Sequence, residues 1–259
     1  MAEAIADSGD RFAKKRAPLI RVLSQLRWPV MSGFAVDSVA DQFAVRIGKD
    51  YPLRETGKEL GLLFTPEGVS QQAGGILHRF TDGDRQWVVT FAATFITLET
   101  SAYTTHQDFI QKLVAVVREM KDYLPLQRWD RFGYRYTNRI TDEADISALQ
   151  QLFNPAVLGT LALGFGDTIV HNVGETVYEG KEASLLVKSA YLPPGASIDA
   201  TIPPATGPSY LLDLDAFATG PSAAFDDAAI DQQANVLAKK ARDFFEKVTT
   251  DEYRARFAS

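Results

Sequence analysis

Between Arg131 and Ile140 the chain reads RFGYRYTNRI, and at a strand's period of two this run has two unlike faces. Arg131, Gly133, Arg135, Thr137 and Arg139 fall on one, and Phe132, Tyr134, Tyr136, Asn138 and Ile140 on the other. The aromatic face needs a core; the guanidinium row needs carboxylates, water or an anionic partner. Near the start, LIRVLSQLRW divides in the same way, with Ile20, Val22, Leu26 and Trp28 opposite Arg21, Gln25 and Arg27. Strands of this kind belong to a sheet with helices on one face.

Other segments extend the pattern. DSVADQFAVRIG reads as a short helix capped by Asp37 or Ser38 and stopped at Gly48. Residues 54–73, rich in Gly, Pro and Gln, are the least regular stretch, with a short strand at GLLF. GILHRF-TDGD-RQWVVTF is a hairpin signal, and FITLETSAY is a further strand. TTHQDFIQKLVAVVREMKDYL is a helix with a Thr105/Asp108 capping box and a stripe of Phe109, Leu113, Val116, Val117 and Met120. After RFGYRYTNRI come a short helix, DEADISALQQLF, and the strands TIVHNVGETVY, ASLLVKSAYLP and SYLLDLDAF. A Pro/Gly-rich connection at 193–208 precedes the last of these. A helix over about 222–248, carrying Leu237, Phe244 and Phe245 inward, and a turn capped by Thr249 and Glu252 close the chain.

The expected fold class is therefore α+β: two similar β-α-β-β-β-α halves, 18–128 and 129–259, forming one antiparallel sheet with helices packed on one face. The gapless match of ITLETSAY with YLLDLDAF, which sets Glu99 against Asp213, supports an internal duplication. In a saddle of this kind the first strands of the halves meet centrally, bringing Arg21, Arg27, Arg131, Arg135 and Arg139 to one face. Residues 1–17, small, polar and charged, are expected to form a flexible tail.

Composition narrows the function classes. A net charge of −6 argues against attraction of the whole surface to nucleic acid or anionic lipid. With no cysteine there is no disulfide, thiolate metal site or cysteine nucleophile. No apolar run is long enough to span a bilayer and the N-terminus has no secretory h-region, so a soluble, cytoplasmic protein is expected.

Catalytic signatures are sparse. His78, His106 and His171 are not spaced as a metal pair, and there is no HExxH, GxSxG or P-loop. GFGD at 164–167 has Ile169 where a dinucleotide fingerprint would need its third glycine, and reads as a turn. Asp213 and Asp215 share a face by parity, and Glu99 joins them through the repeat. Three such carboxylates are weak candidates for Mg²⁺, but cross-strand pairing with the arginines is favoured. No cofactor is expected.

Two segments, WVVTFAATFITLETSAYTTHQDFIQKL and WDRFGYRYTNRI, together with LIRVLSQLRWP and ARDFFEKVTTDEYRARF, resemble a sporadically distributed prokaryotic protein family of about this length. Its members share LET-x-x-Y-x-x-x-x-x-F and R-x-G-x-R-Y-x-N-x-I segments. The resemblance leaves out 54–73 and 193–208 and carries over no catalytic residues. Its patchy distribution implies an accessory role in prokaryotic defence or toxin–antitoxin systems. The leading expectation is a non-enzymatic binding protein whose partner is another protein, engaged through the outer arginine face or the irregular loops. The alternatives are a metal-dependent enzyme acting on nucleic acid or nucleotide, and a small-ligand binder with a cavity between sheet and helices.

Overall fold

In the computed structural model, the segments with period-two patterning hydrogen-bond into a single nine-stranded antiparallel sheet. The structure describes residues 18–65, 68–123, 129–222 and 225–257; the expected tail, 1–17, lies outside them. The strands are β1 (Leu19–Arg27), β2 (Leu53–Thr65), β3 (Gly68–Thr81), β4 (Trp87–Ala92), β5 (Phe95–Thr100), β6 (Trp129–Ile140), β7 (Asn172–Tyr178), β8 (Ser184–Leu192) and β9 (Ser209–Ser222). Their spatial order is β2-β3-β4-β5-β1-β6-β9-β8-β7. The longer helices are α1 (Val36–Ile47), α2 (His106–Lys121) and α6 (Asp227–Val248). Three short ones, α3 (Glu143–Ser147), α4 (Leu149–Leu152) and α5 (Pro155–Leu158), lead into a 3-10 turn at Gly159–Ala162, and α7 (Asp251–Phe257) ends the described chain. No helix among the described residues is long and apolar enough to cross a membrane.

The chain is thus α+β around an antiparallel sheet, and the expected element string needs correction. Four strands, not three, separate α1 from α2, and four short helical turns replace one helix between β6 and β7. The extra strand comes from the stretch read as irregular, since β2 and β3 pair antiparallel from Leu53 opposite Thr81 to Thr65 opposite Gly68. Glycine obscured it. Gly57 faces Leu77, whose Cδ1 would lie 3.2 Å from a Cβ there, so the missing side chain leaves room for its cross-strand neighbour.

The parity of β1 and β6 holds. Val22, Leu26, Phe132, Tyr134, Tyr136 and Ile140 are buried in one hydrophobic cluster with residues of α1, α2 and α6. Phe109 of α2 lies 5.8 Å from Trp87, 6.3 Å from Tyr103 and 5.1 Å from Tyr134 between ring centroids. Phe43 of α1 meets Phe80 edge-on at 5.5 Å. Phe244 is only half-buried and packs on Tyr178, leaving the inner position on α6 to Phe245. Asn138 reaches the Leu212 carbonyl across the sheet.

Two caps also differ from expectation. Thr105 caps α2 by accepting from Asp108 N, as the sequence predicts. Asp37, however, lies inside α1, where its carboxylate accepts from His78 Nε2 at 2.9 Å. Thr250, rather than Thr249, accepts from Tyr253 N at the head of α7; Thr249 instead donates to Phe245 O.

Candidate functional site

The antiparallel register of β1 and β6 sets Arg21 opposite Thr137, Leu23 opposite Arg135 and Arg27 opposite Arg131. The five arginines therefore share the sheet surface away from the aromatic core, and four of them are engaged within the molecule. Arg135 donates from Nε to Asp213 and from Nη2 to Asp199, both at 2.7 Å. Arg131 donates to Asp215 at 2.7 Å and lies over the ring of Phe217 at 4.8 Å. Arg21 reaches Asp199 at 3.2 Å and Thr201 Oγ at 2.7 Å, with Glu99 at 3.9 Å. Arg139 donates to the carbonyl of Pro203. Arg27 stays exposed, 5.9 Å from the Phe95 ring centroid.

Gly133 makes the Arg131 contact possible. A Cβ at this position would stand 2.6 Å from Arg131 Nη1 and 3.2 Å from Asp215 Oδ1. The guanidinium lies over the bare Gly133 and reaches the carboxylate that stands opposite Arg135, two same-face rows along.

Sequence reasoning missed the roof of this surface. The connection at 193–208, read as a plain linker, lies against the outer face and supplies Asp199, Thr201 and Pro203. Asp199 organises it: Oδ1 accepts from Thr201 N and Thr201 Oγ, while Oδ2 accepts from Arg21 and Arg135. The available signal was the length of a connection without regular structure, together with an Asp two residues before a Thr. Beneath the roof is a cleft of about 230 Å³ whose walls include Arg21, Gln25, Arg131, Arg135, Asp199 and Asp215.

The electrostatics are balanced. Burial would raise the Asp199 carboxyl, but the Thr201 hydrogen bonds and the charges of Arg135 and Arg21 outweigh it and hold the group well below the usual carboxylate range. For Arg135, burial opposes the charge, and Asp213 and Asp199 more than restore it. Asp215 is raised, because burial exceeds the help of Arg131 and Arg135. Three guanidinium groups face Asp199, Asp213 and Asp215, so the cleft presents little net charge to a ligand.

Glu99, Asp213 and Asp215 do not converge. Glu99 on β5 is separated from β9 by β1 and β6, three strand spacings or about 14 Å. Asp213 also accepts from Thr137 Oγ at 2.8 Å, and among the described residues no three His, Asp or Glu side chains are grouped to hold a metal. His78, unassigned from sequence, is buried and joins α1 to β3, since Nδ1 accepts from Arg54 while Nε2 donates to Asp37.

Asp199→Asn tests the roof through pH. Below about pH 4 the unfolded chain binds a proton at this position and the folded chain does not. Asp199 therefore contributes stability above that range and loses it as pH falls; Asp215, with its raised pKa, acts in the opposite sense. The parent should exceed the variant in urea midpoint at pH 6, and the gap should narrow by pH 3. An equal gap at both pH values would mean that Asp199 is not held in its charged form.

A second feature is the free end of the sheet. Among the described residues β7 has only β8 as a strand neighbour, and Val173 and Val177 are 52% and 57% exposed. Along β7, a cleft of about 350 Å³ is lined by residues 172–176 and Tyr178 and bounded by α5 and by Phe244 of α6. No family model matches the chain, and a search of curated proteins finds no match either.

Proposed function

We propose that this protein acts by binding another protein rather than by catalysis, and that it arose by internal duplication. One observation carries the binding reading. Of the eleven large hydrophobic side chains exposed among the described residues, seven lie between Leu163 and Tyr178, in the approach to β7 and along it. Scattered apolar residues are ordinary on a surface, whereas concentration at one sheet edge is the mark of an interaction site. The arginine face has less behind it as a docking surface, since Arg21, Arg131, Arg135 and Arg139 are spent within the molecule. A metal-dependent enzyme would need Glu99, Asp213 and Asp215 freed and brought together. The family resemblance suggests a setting in prokaryotic defence or toxin–antitoxin accessories.

Register supports the duplication. One constant shift along the chain carries Arg21 onto Arg135, Leu23 onto Thr137 and Glu99 onto Asp213. The same shift carries the β1–β5 pairing onto β6–β9 and leaves the β1–β6 pairing unchanged. The ion pairs follow it as well, with Arg21–Glu99 corresponding to Arg135–Asp213. α2 and α6 pack against each other, and with α1 they serve the same hydrophobic cluster, as helices on one face of the sheet would.

The binding reading is tested by the double substitution Val173→Asp with Val177→Asp. Both side chains are exposed, so the fold should lose no more than about half a kcal/mol per substitution. Capture of the partner from a native-host lysate should be abolished. Undiminished capture by the folded variant would refute the assignment.

A further inference from the structure

Resting on that reading, we infer that the partner adds an extended segment alongside β7, and that this segment is basic with alternating apolar residues. An edge strand leaves one row of backbone N–H and C=O groups unpaired, and proteins usually blunt such edges with proline, lysine or a bulge. β7, NVGETVY, contains neither proline nor lysine, and its register with β8 runs unbroken from Asn172 to Tyr178. The opposite edge is guarded. Arg54, Glu55 and Lys58 stand exposed on β2, with Arg54 paired to Asp41 and Glu55 to Arg85.

The side chains of β7 suit an incoming strand on both faces. By register with Lys188 and Asp213, Val173, Glu175 and Val177 belong to the outer face and Gly174, Thr176 and Tyr178 to the inner one, and the cleft of about 350 Å³ is lined by the latter three together with Val173 and Glu175. A strand laid beside β7 would send alternate side chains to those same two faces. Its apolar residues would lie next to Val173 and Val177 on the outer face, and its basic residues at the mouth of the cleft, beside the rings of Tyr178 and Phe244.

Charge selects the partner. Within residues 164–182, Glu175 is paired with Lys188 of β8 at 3.0 Å, which leaves Asp167, Glu179 and Glu182 against Lys181, a net of −2 within a chain whose total is −6. Two copies of this chain joined through β7 would set two acidic segments side by side, which disfavours self-pairing. A lysine- or arginine-bearing strand meets the opposite sign.

The probe is a short synthetic peptide alternating valine with lysine, compared with a valine–glutamate peptide and with a valine–lysine peptide N-methylated at every second residue. Fluorescence anisotropy should show binding of the valine–lysine peptide only, weakening as salt is raised. Hydrogen exchange should slow across residues 172–178 in its presence. Glu179→Lys with Glu182→Lys, both exposed, should shift preference toward the valine–glutamate peptide. No valine–lysine binding at low salt, equal binding of the two charge types, retained binding after N-methylation, or unprotected β7 amides would each overturn strand addition. If partner capture were still lost on Val173→Asp with Val177→Asp, the protein-binding reading would stand and only this mode of docking would fall.

Discussion

Arg135→Ala is expected to lower the stability of the folded chain by about 3–5 kcal/mol, the range for removing one partner of a buried ion pair. Ordinary exposed salt bridges contribute about 0–1 kcal/mol. Arg135 differs because of what it leaves behind. Asp213 is 1% exposed and, among the described residues, keeps only Thr137 Oγ as a side-chain donor, while Asp199 would retain Arg21 and Thr201. The loss therefore falls mainly on Asp213, a buried carboxylate on the outer face of β9 between β6 and β8. Adding Asp213→Asn to the Arg135→Ala background should recover part of the loss, since an amide is less costly to bury than an unpaired charge. Urea unfolding of the two single variants and the double variant measures the coupling. A loss below about 1 kcal/mol for Arg135→Ala would place the pair among ordinary surface bridges.

The same residues mark what the sequence can and cannot reveal. Parity alone placed Arg131, Arg135 and Arg139 on one face and Phe132, Tyr134 and Tyr136 on the other, because a strand's alternation is a local property. It also placed Asp213 and Asp215 on the face that meets the arginines. Periodicity could not show that 193–208 lies over that face. Asp199 reaches Arg135 across 64 residues of chain, and a connection without regular structure has no repeat to announce its course. The pairing of β2 with β3 was hidden for a related reason. Their glycines lower strand propensity, and the pairing that compensates is a tertiary fact. Asp37 illustrates competition among roles: its position suited a cap, but a buried histidine on β3 claimed the carboxylate. The exposed valines of β7 were indistinguishable in sequence from core valines, because only the strand order reveals which strand ends the sheet. Sequence thus resolved the faces of individual strands and the central pairing. The roof and the free edge depend on contacts distant along the chain.

Phe109→Ala should also cost about 3–5 kcal/mol, the range for truncating a fully buried phenylalanine. Its importance lies in where the ring sits. Phe109 belongs to α2 in the first half of the chain, yet one of its nearest aromatic neighbours is Tyr134 on β6 in the second, at 5.1 Å, beside Trp87 and Tyr103 of its own half. The cavity would open at the seam where β1 pairs with β6 and α2 packs on α6. A seam continuous in both sheet and core implies that the halves unfold together, whatever their evolutionary origin. Trp28 and Trp129 report on the two sides and are both buried. With Trp87 replaced by phenylalanine, fluorescence from versions retaining only one of these tryptophans should give coincident urea transitions. Phe109→Ala should then move both transitions by the same amount. A shift confined to the Trp28 signal would show two independently folding units, and the continuous sheet would have to be read as two domains in contact.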